Sequence, residues 1–119
     1  MVSYNEISLH GQKAPAATTD QILFTVPAGK SLVASSLVVC NTDAAVADDF
    51  ILCVGICGGA TSAATALYYL VRVAPKETFV ATIGITLSDD GGGNEIVVQS
   101  TNGTLTYSLF GQVVPGVAQ

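Results

Sequence analysis

Gly29-Lys30-Ser31 are the residues of this chain that most invite a chemical reading, because they spell the end of a phosphate-binding loop. That loop reads G-x-x-x-x-G-K-[ST], comes after a strand, and opens a helix whose free N–H groups hold phosphate. Its first glycine would stand at position 24, which is Phe24. From Ser31 the chain runs SLVASSLVV, an alternating, β-branched stretch with no helical period. Two physical requirements fail, so residues 25–33 are expected to form strand, turn and strand. Val26-Pro27-Ala28-Gly29 fits a type I turn, with proline second and glycine fourth.

The other reactive residue types are sparse. Cys53 and Cys57 lie in one apolar run. On a strand their Cα atoms would be about 13 Å apart, beyond the ~7 Å reach of a disulfide. Cys40 could pair across strands with either, but buried thiols packing as small hydrophobes are the preferred expectation. The single histidine, His10, stands beside a linker, where nothing would give it the fixed orientation that a catalytic relay needs. Asp89-Asp90 with Asn94 and Glu95, and separately Asp48-Asp49, resemble loop calcium ligands in type. Their spacing does not fit a helix-loop-helix calcium loop, and solvated turns are preferred. No catalytic residue, cofactor, metal or small-molecule ligand is therefore expected, and no enzymatic activity.

Composition narrows the class further. The chain has 119 residues, one domain's worth, of which 50% are hydrophobic and only 11% charged. Ordinary domains carry roughly a quarter charged residues, so the apolar fraction is expected either to fill a core or also to cover a surface buried by other subunits. Net charge is −5, and the four bases, Lys13, Lys30, Arg72 and Lys76, are scattered. Nucleic-acid binding needs clustered cations, so it is not expected. No apolar run is long enough to cross a membrane as a helix, and the opening MVSYNEISLHGQ lacks the basic and apolar regions of a secretory signal.

The dominant signal is period-two alternation, which marks half-buried strands. Eight strands are expected: 4–9, 21–26, 31–41, 50–58, 66–73, 77–88, 95–100 and 104–114. In the third, Leu32, Ala34, Ser36, Val38 and Cys40 would share one face. The fourth, FILCVGICG, is apolar on both faces and is expected to be central and covered on both sides. In the sixth, Phe79, Ala81, Ile83, Ile85 and Leu87 would face inward. Asn102-Gly103 reads as a hairpin turn between the last two strands. Residues 11–20 are small, polar and proline-containing, and read as an extended linker. The fold class implied is all-β: an antiparallel β-sandwich, jelly-roll-like, of about eight strands. An N-terminal arm and linker would occupy residues 1–19 and the sandwich residues 20–119.

Three stretches carry a family resemblance: LFTVPAGKSLVASSLVVCNTDAA, ALYYLVRVAPKETFVATIGITLSDDG and IVVQSTNGTLTYSLFGQ. They resemble small virion structural proteins of tailed bacteriophages, particularly phages of cyanobacteria, over Leu23 to Gln112. The resemblance implies a β-sandwich on the phage particle, as capsid decoration (cement) protein or as part of tail, collar or fibre. The matched positions look structural: turn residues Pro27 and Gly29, and core residues Val39, Cys40, Ile83, Leu87 and Phe110. No functional residue is carried over.

The arm departs from that pattern. With Tyr4, Ile7 and Leu9 along it, it would add a strand to a neighbour's sheet edge, form the first strand of its own sandwich, or fray. The first is preferred. Expected partners are the major capsid protein or other virion subunits and further copies of the chain, a trimer by family analogy. A second functional class, a carbohydrate-binding sandwich on a tail tip, would need exposed aromatics; Tyr68, Tyr69, Tyr107 and Phe110 are its candidates. The residues expected to meet partners are Tyr4, Ile7, Leu9, Tyr68 and Tyr69.

Overall fold

The computed structural model describes residues 8–88 and 94–115. These form eight strands: β1 (Ser8–Lys13), β2 (Gln21–Thr25), β3 (Lys30–Asn41), β4 (Asp48–Ile56), β5 (Ala66–Val73), β6 (Thr78–Ser88), β7 (Asn94–Ser100) and β8 (Leu105–Pro115). A single 3₁₀ turn, Ala63–Thr65, precedes β5. Two antiparallel four-stranded sheets result: sheet A, ordered β1-β8-β3-β6, and sheet B, ordered β2-β7-β4-β5. First pairs with last, second with second-last, and so inward to β4 with β5. One long antiparallel ribbon has thus been rolled over on itself, which is the jelly-roll arrangement of a β-sandwich and agrees with the expected fold class.

Between the sheets lies a core of Leu32, Leu37 and Val39 from β3, Phe50 and Leu52 from β4, Ile96 and Val98 from β7, and Leu105, Tyr107 and Leu109 from β8. Each is fully buried, and each such aliphatic or aromatic side chain contributes about 1.5–3 kcal/mol of transfer free energy. The Phe50 ring lies 5.6 Å from Phe79 and 6.0 Å from Tyr107, the latter edge-on. The Tyr107 hydroxyl is satisfied by a hydrogen bond with the Ser100 hydroxyl. Burial, only partly offset by that bond, raises the Tyr107 phenol well above its ordinary range.

Local patterns decided most of the strands. In β6, Ala81 is buried and Phe79, Ile83, Ile85 and Leu87 pack on the core, as the alternation predicts. In β4, Phe50 and Leu52 face inward, while Cys53 is fully buried on the opposite face, so this strand is covered on both sides at its middle, and only its end at Ile56 is exposed. β3 departs from its expected parity. A bulge between Ala34 and Ser36 gives it one extra residue against β8, so Leu37 and Val39 join Leu32 and Ala34 in the core. Ser36, Val38 and Cys40 consequently face outward.

Three expectations about connections are corrected. Asn102-Gly103 does not close a hairpin: β7 and β8 lie in different sheets. Gly103 has the positive φ (74°) that the Asn-Gly signal anticipates, but the chain uses it to cross between sheets. The turn before β3 is one residue later than expected, closed by Lys30 N–H donating to the Pro27 carbonyl (3.1 Å). Gly29 is then third, with φ 72°, the position where a type II turn needs a left-handed residue. Residues 11–13 are not linker but continue β1, which pairs with β8 of its own chain. Gly11 lets β1 close on β2, for a Cβ there would sit 2.3 Å from the Leu23 carbonyl oxygen.

The connections 14–20, 42–47, 74–77 and 101–104 meet at one end and are laced together. Thr18 N–H donates to Ser100 O (2.8 Å), Lys76 N–H to Asp43 O (3.0 Å) and Thr42 N–H to Thr104 O (3.0 Å). The buried Asp48 carboxylate organises this end. Its Oδ1 accepts from the N–H groups of Asp49 and Asn102 (both 2.8 Å), and its Oδ2 from the Thr104 N–H (3.0 Å) and hydroxyl (3.1 Å). Asn41, also buried, donates to the carbonyls of Val46 and Val73 (both 3.0 Å).

Candidate functional site

The two outer faces of the sandwich are treated very differently. In sheet B, strands β4 and β7 are roofed by their own chain. The segment 57–65 folds back over β4 and β7, and the Cys53 thiol donates to Ser62 O and accepts from Ser62 N–H, both at 3.2 Å. Gly59 N–H donates to Glu95 Oε1 (2.9 Å), and the Thr61 hydroxyl to Asp20 Oδ1 (2.6 Å). Beneath this roof Cys53 and Val97 are fully buried although they point away from the core.

Sheet A has no such cover among the described residues. Its four strands hold only two charged residues, Lys13 and Lys30, each at a strand end. Directly opposed residues on neighbouring strands share a face, so the outward rows can be read from register. One row is Gln12, Ser108, Val38 and Val80; the next is Leu9, Phe110, Ser36 and Thr82. Val33 lies between Gln112 and Thr86, and Cys40 between Thr106 and Thr78. The Gln12 amide donates to the Ser108 hydroxyl (2.9 Å), linking β1 to β8. The result is a mixed face of valine, leucine, threonine, serine and glutamine with one cysteine and one phenylalanine, uncharged in its interior, with Val80 63% exposed and Leu9 47% exposed. Protein interfaces are depleted of charge at their cores in this way.

A second apolar strip lies on β5, at the edge of sheet B. Two register shifts against β4 interrupt it. The first sets Tyr69 and Leu70 against Ile51, and Leu70 takes φ 52°. Leu67, Tyr69 and Leu70 are all exposed. Arg72 comes next on this strand's outer side, with its Nε 3.2 Å from Asp49 Oδ1.

The residues expected to meet partners are thus not one cluster. Leu9 belongs to the sheet A face, beside Phe110. Tyr69 belongs to the β5 strip, on the opposite edge of the sandwich. Tyr68 is half-buried against Phe50 and Phe79, ring centroids 6.1 and 5.9 Å away. Tyr4 and Ile7 lie outside the described residues. Of the aromatics a sugar platform would need, Tyr107 is wholly buried and only Tyr69 is exposed. Sequence reasoning turned Val80 outward from the alternation of its strand, as the structure has it, but did not single out Val33, Val38, Val80 or Phe110 as partner contacts; it placed Phe110 and Cys40 in the core, whereas both stand half-buried on the outer face. The available signal was the lack of charge across four separate segments.

Other candidates resolve structurally. Lys30 and Ser31 begin β3, and no helix succeeds them. The three cysteines are free, Cys40 and Cys53 standing on opposite outer faces. Burial raises the Cys57 thiol. Among the described residues no cluster of three or more His, Cys, Asp or Glu side chains is placed to hold a metal ion. Asp89 and Asp90, and the His10 side chain, lie outside what is described.

No protein-family model and no curated protein matches the sequence. Solved structures do match the fold. A chain from "Cyanophage Pam1 capsid asymmetric unit" is 16% identical, covers 90% of this chain and 83% of its own, and superposes with a TM-score of 0.50. A chain from "Capsid of Ralstonia phage GP4" is 18% identical, with 98% and 88% coverage and a TM-score of 0.48. At such identities the likeness is one of fold: this jelly-roll sandwich is also found in a chain of a cyanophage capsid.

Proposed function

We propose that this chain is a non-enzymatic structural subunit of a tailed-phage virion, and within the virion a decoration protein of the capsid shell. The observation that carries the reading is the uncharged outer face of sheet A, set against a sheet B whose inner strands β4 and β7 the chain roofs by itself. A sandwich that covers the middle of one outer face and leaves the other without a charge in its rows is built to meet protein there. Likeness of fold to a chain of the cyanophage Pam1 capsid supports placing that protein in a phage shell. The partners would be the major capsid protein or other virion subunits, and further copies of the chain, a trimer in the family analogy. The N-terminal residues 1–7 would act as an arm extending from β1.

Tail, collar or fibre attachment is the competing location; binding of host carbohydrate there draws little support from the single exposed tyrosine among the described residues. Immunogold labelling of intact particles separates the locations: the capsid reading expects gold on the shell faces, and gold confined to the tail would overturn it. Deleting residues 1–7 leaves β1 in place, so particle binding by that variant isolates the arm. Binding equal to that of the full chain would remove the arm from the interface.

A further inference from the structure

We infer that the Asn102–Gly103 bond is a site of spontaneous covalent modification, and that its product loosens the end of the sandwich that Asp48 organises. Neither part depends on the virion reading.

The chemistry is intramolecular. Asparagine is a chemically labile residue. A glycine nitrogen that follows it can attack the side-chain carbonyl carbon, since no Cβ hinders the approach. The bond from Gly103 N to Asn102 Cγ forms and the Cγ–Nδ2 bond breaks. Nδ2 leaves as ammonia, taking the Gly103 amide proton, and a five-membered succinimide remains. Water then opens the ring at either carbonyl. One opening gives aspartate. The other gives isoaspartate, in which the main chain runs through Cβ and Cγ.

Three observations single out this bond. The chain has four asparagines, and only Asn102 precedes glycine; Asn5, Asn41 and Asn94 precede Glu6, Thr42 and Glu95. Asn102 is exposed and lies in a connection between strands, so water reaches it. Among the described residues the Gly103 N–H donates no hydrogen bond, so no acceptor holds its proton back. Asn41 differs on each count: it is buried, and its amide is committed to the carbonyls of Val46 and Val73.

The consequence follows from Asp48, which grips the chain on both sides of this one bond. Its Oδ1 accepts from the Asn102 N–H (2.8 Å), and its Oδ2 from the Thr104 N–H (3.0 Å) and hydroxyl (3.1 Å). Isoaspartate lengthens the span between those two grips by one backbone atom. There is no room to absorb it, for even a Cβ on Gly103 would lie 2.5 Å from the Ala17 nitrogen. One grip must let go. Aspartate leaves the main chain intact. It replaces the Nδ2 that donates to the Ala47 carbonyl (3.1 Å) with an oxygen, and two acceptors then face each other. The same contacts slow ring closure in the folded chain, because the side chain must leave Ala47 while the main chain is pressed against Ala17.

The test uses the wild-type chain, kept in warm, mildly alkaline buffer either folded or in urea and sampled by peptide mass mapping. Conversion at Asn102 is expected in both samples, more slowly in the folded one, with Asn41 and Asn94 unchanged there. Converted folded protein, separated by ion exchange, is expected to have a lower urea midpoint than unconverted protein from the same incubation, and faster hydrogen exchange at Thr104. The isoaspartate form should lose more than the aspartate form, whose midpoint Asn102→Asp reproduces without incubation. Asn102→Gln should keep its midpoint through the incubation, because its side chain can close only a six-membered ring, which forms far more slowly. Should either variant not fold, the wild-type comparison stands by itself. A folded chain that stays unmodified at Asn102 while the urea sample converts, conversion as fast in the folded chain as in urea, or converted protein with an unchanged midpoint would each overturn the inference.

Discussion

Replacing Asp48 tests whether one buried carboxylate holds the loop end of the sandwich together. The side chain is 1% exposed and accepts four hydrogen bonds, two of them from backbone N–H groups of residues 102 and 104 that no strand partner serves. Asp48→Ala removes every acceptor and strands two amides in a dry site. Hydrogen bonds to a charged group are worth about 1.5–3 kcal/mol each, and an unsatisfied buried donor costs about 1–3 kcal/mol. The desolvation cost removed with the charge offsets part of this, leaving an expected loss of about 3–5 kcal/mol, comparable to losing one partner of a buried pair. Asp48→Asn keeps one oxygen but turns an NH₂ towards the Thr104 N–H, so about 2–4 kcal/mol is expected. Against a typical domain stability of about 5–15 kcal/mol, either change is large. Urea denaturation at neutral pH reads it directly, and hydrogen exchange at Asn102 and Thr104 should quicken in both variants. A loss below about 1 kcal/mol for Asp48→Ala, or a greater loss for asparagine than for alanine, would refute this reasoning.

The same geometry has other measurable consequences. Tyr107→Phe leaves the buried Ser100 hydroxyl unpaired and should cost about 1–2 kcal/mol, much of it recovered when Ser100→Ala is added; a strictly additive double variant would contradict the bond. Because the folded state holds the Tyr107 proton above the ordinary phenol value of 10.0, the unfolded chain binds fewer protons there in base. Stability should therefore fall as pH rises above 10, by up to about 1.4 kcal/mol per pH unit, and urea midpoints of Tyr107→Phe should lose that slope. Gly11→Ala drives a Cβ to 2.3 Å from the Leu23 carbonyl oxygen and should cost about 1–3 kcal/mol in thermal or urea unfolding, as β1 is pushed off β2. A thiol reagent with subsequent peptide mass mapping should leave Cys53 unmodified in the folded protein and label Cys57 more slowly than an ordinary exposed thiol; rapid labelling of Cys53 would mean that segment 57–65 does not roof sheet B.

Much of the segmentation was legible because period-two alternation is local: β5 runs over the residues its pattern marks, and β6 buries the side chains its pattern assigns inward. Gly29 and Gly103 likewise mark positions of positive φ from their own chemistry. Where two strands must agree, local pattern fails. The Ser35 bulge in β3 depends on hydrogen-bond register with β8, and it moved Val38 and Cys40 from one face to the other. Asn102-Gly103 turns the chain as its residues dictate, but the strands it joins find their partners elsewhere, β7 in β2 and β4 and β8 in β1 and β3, and the turn itself is held by Asp48, more than fifty residues away. Leu9 and Tyr69 were recognisable as candidate contacts, yet their separation to opposite edges exists only in the rolled ribbon. The candidate face shows the same division. Composition determined that this chain would have more apolar surface than charge to cover it. Only the tertiary structure gathered four uncharged segments from distant parts of the chain into one sheet and spent segment 57–65 on the other, because strand pairing is a long-range choice that no window of neighbouring residues contains.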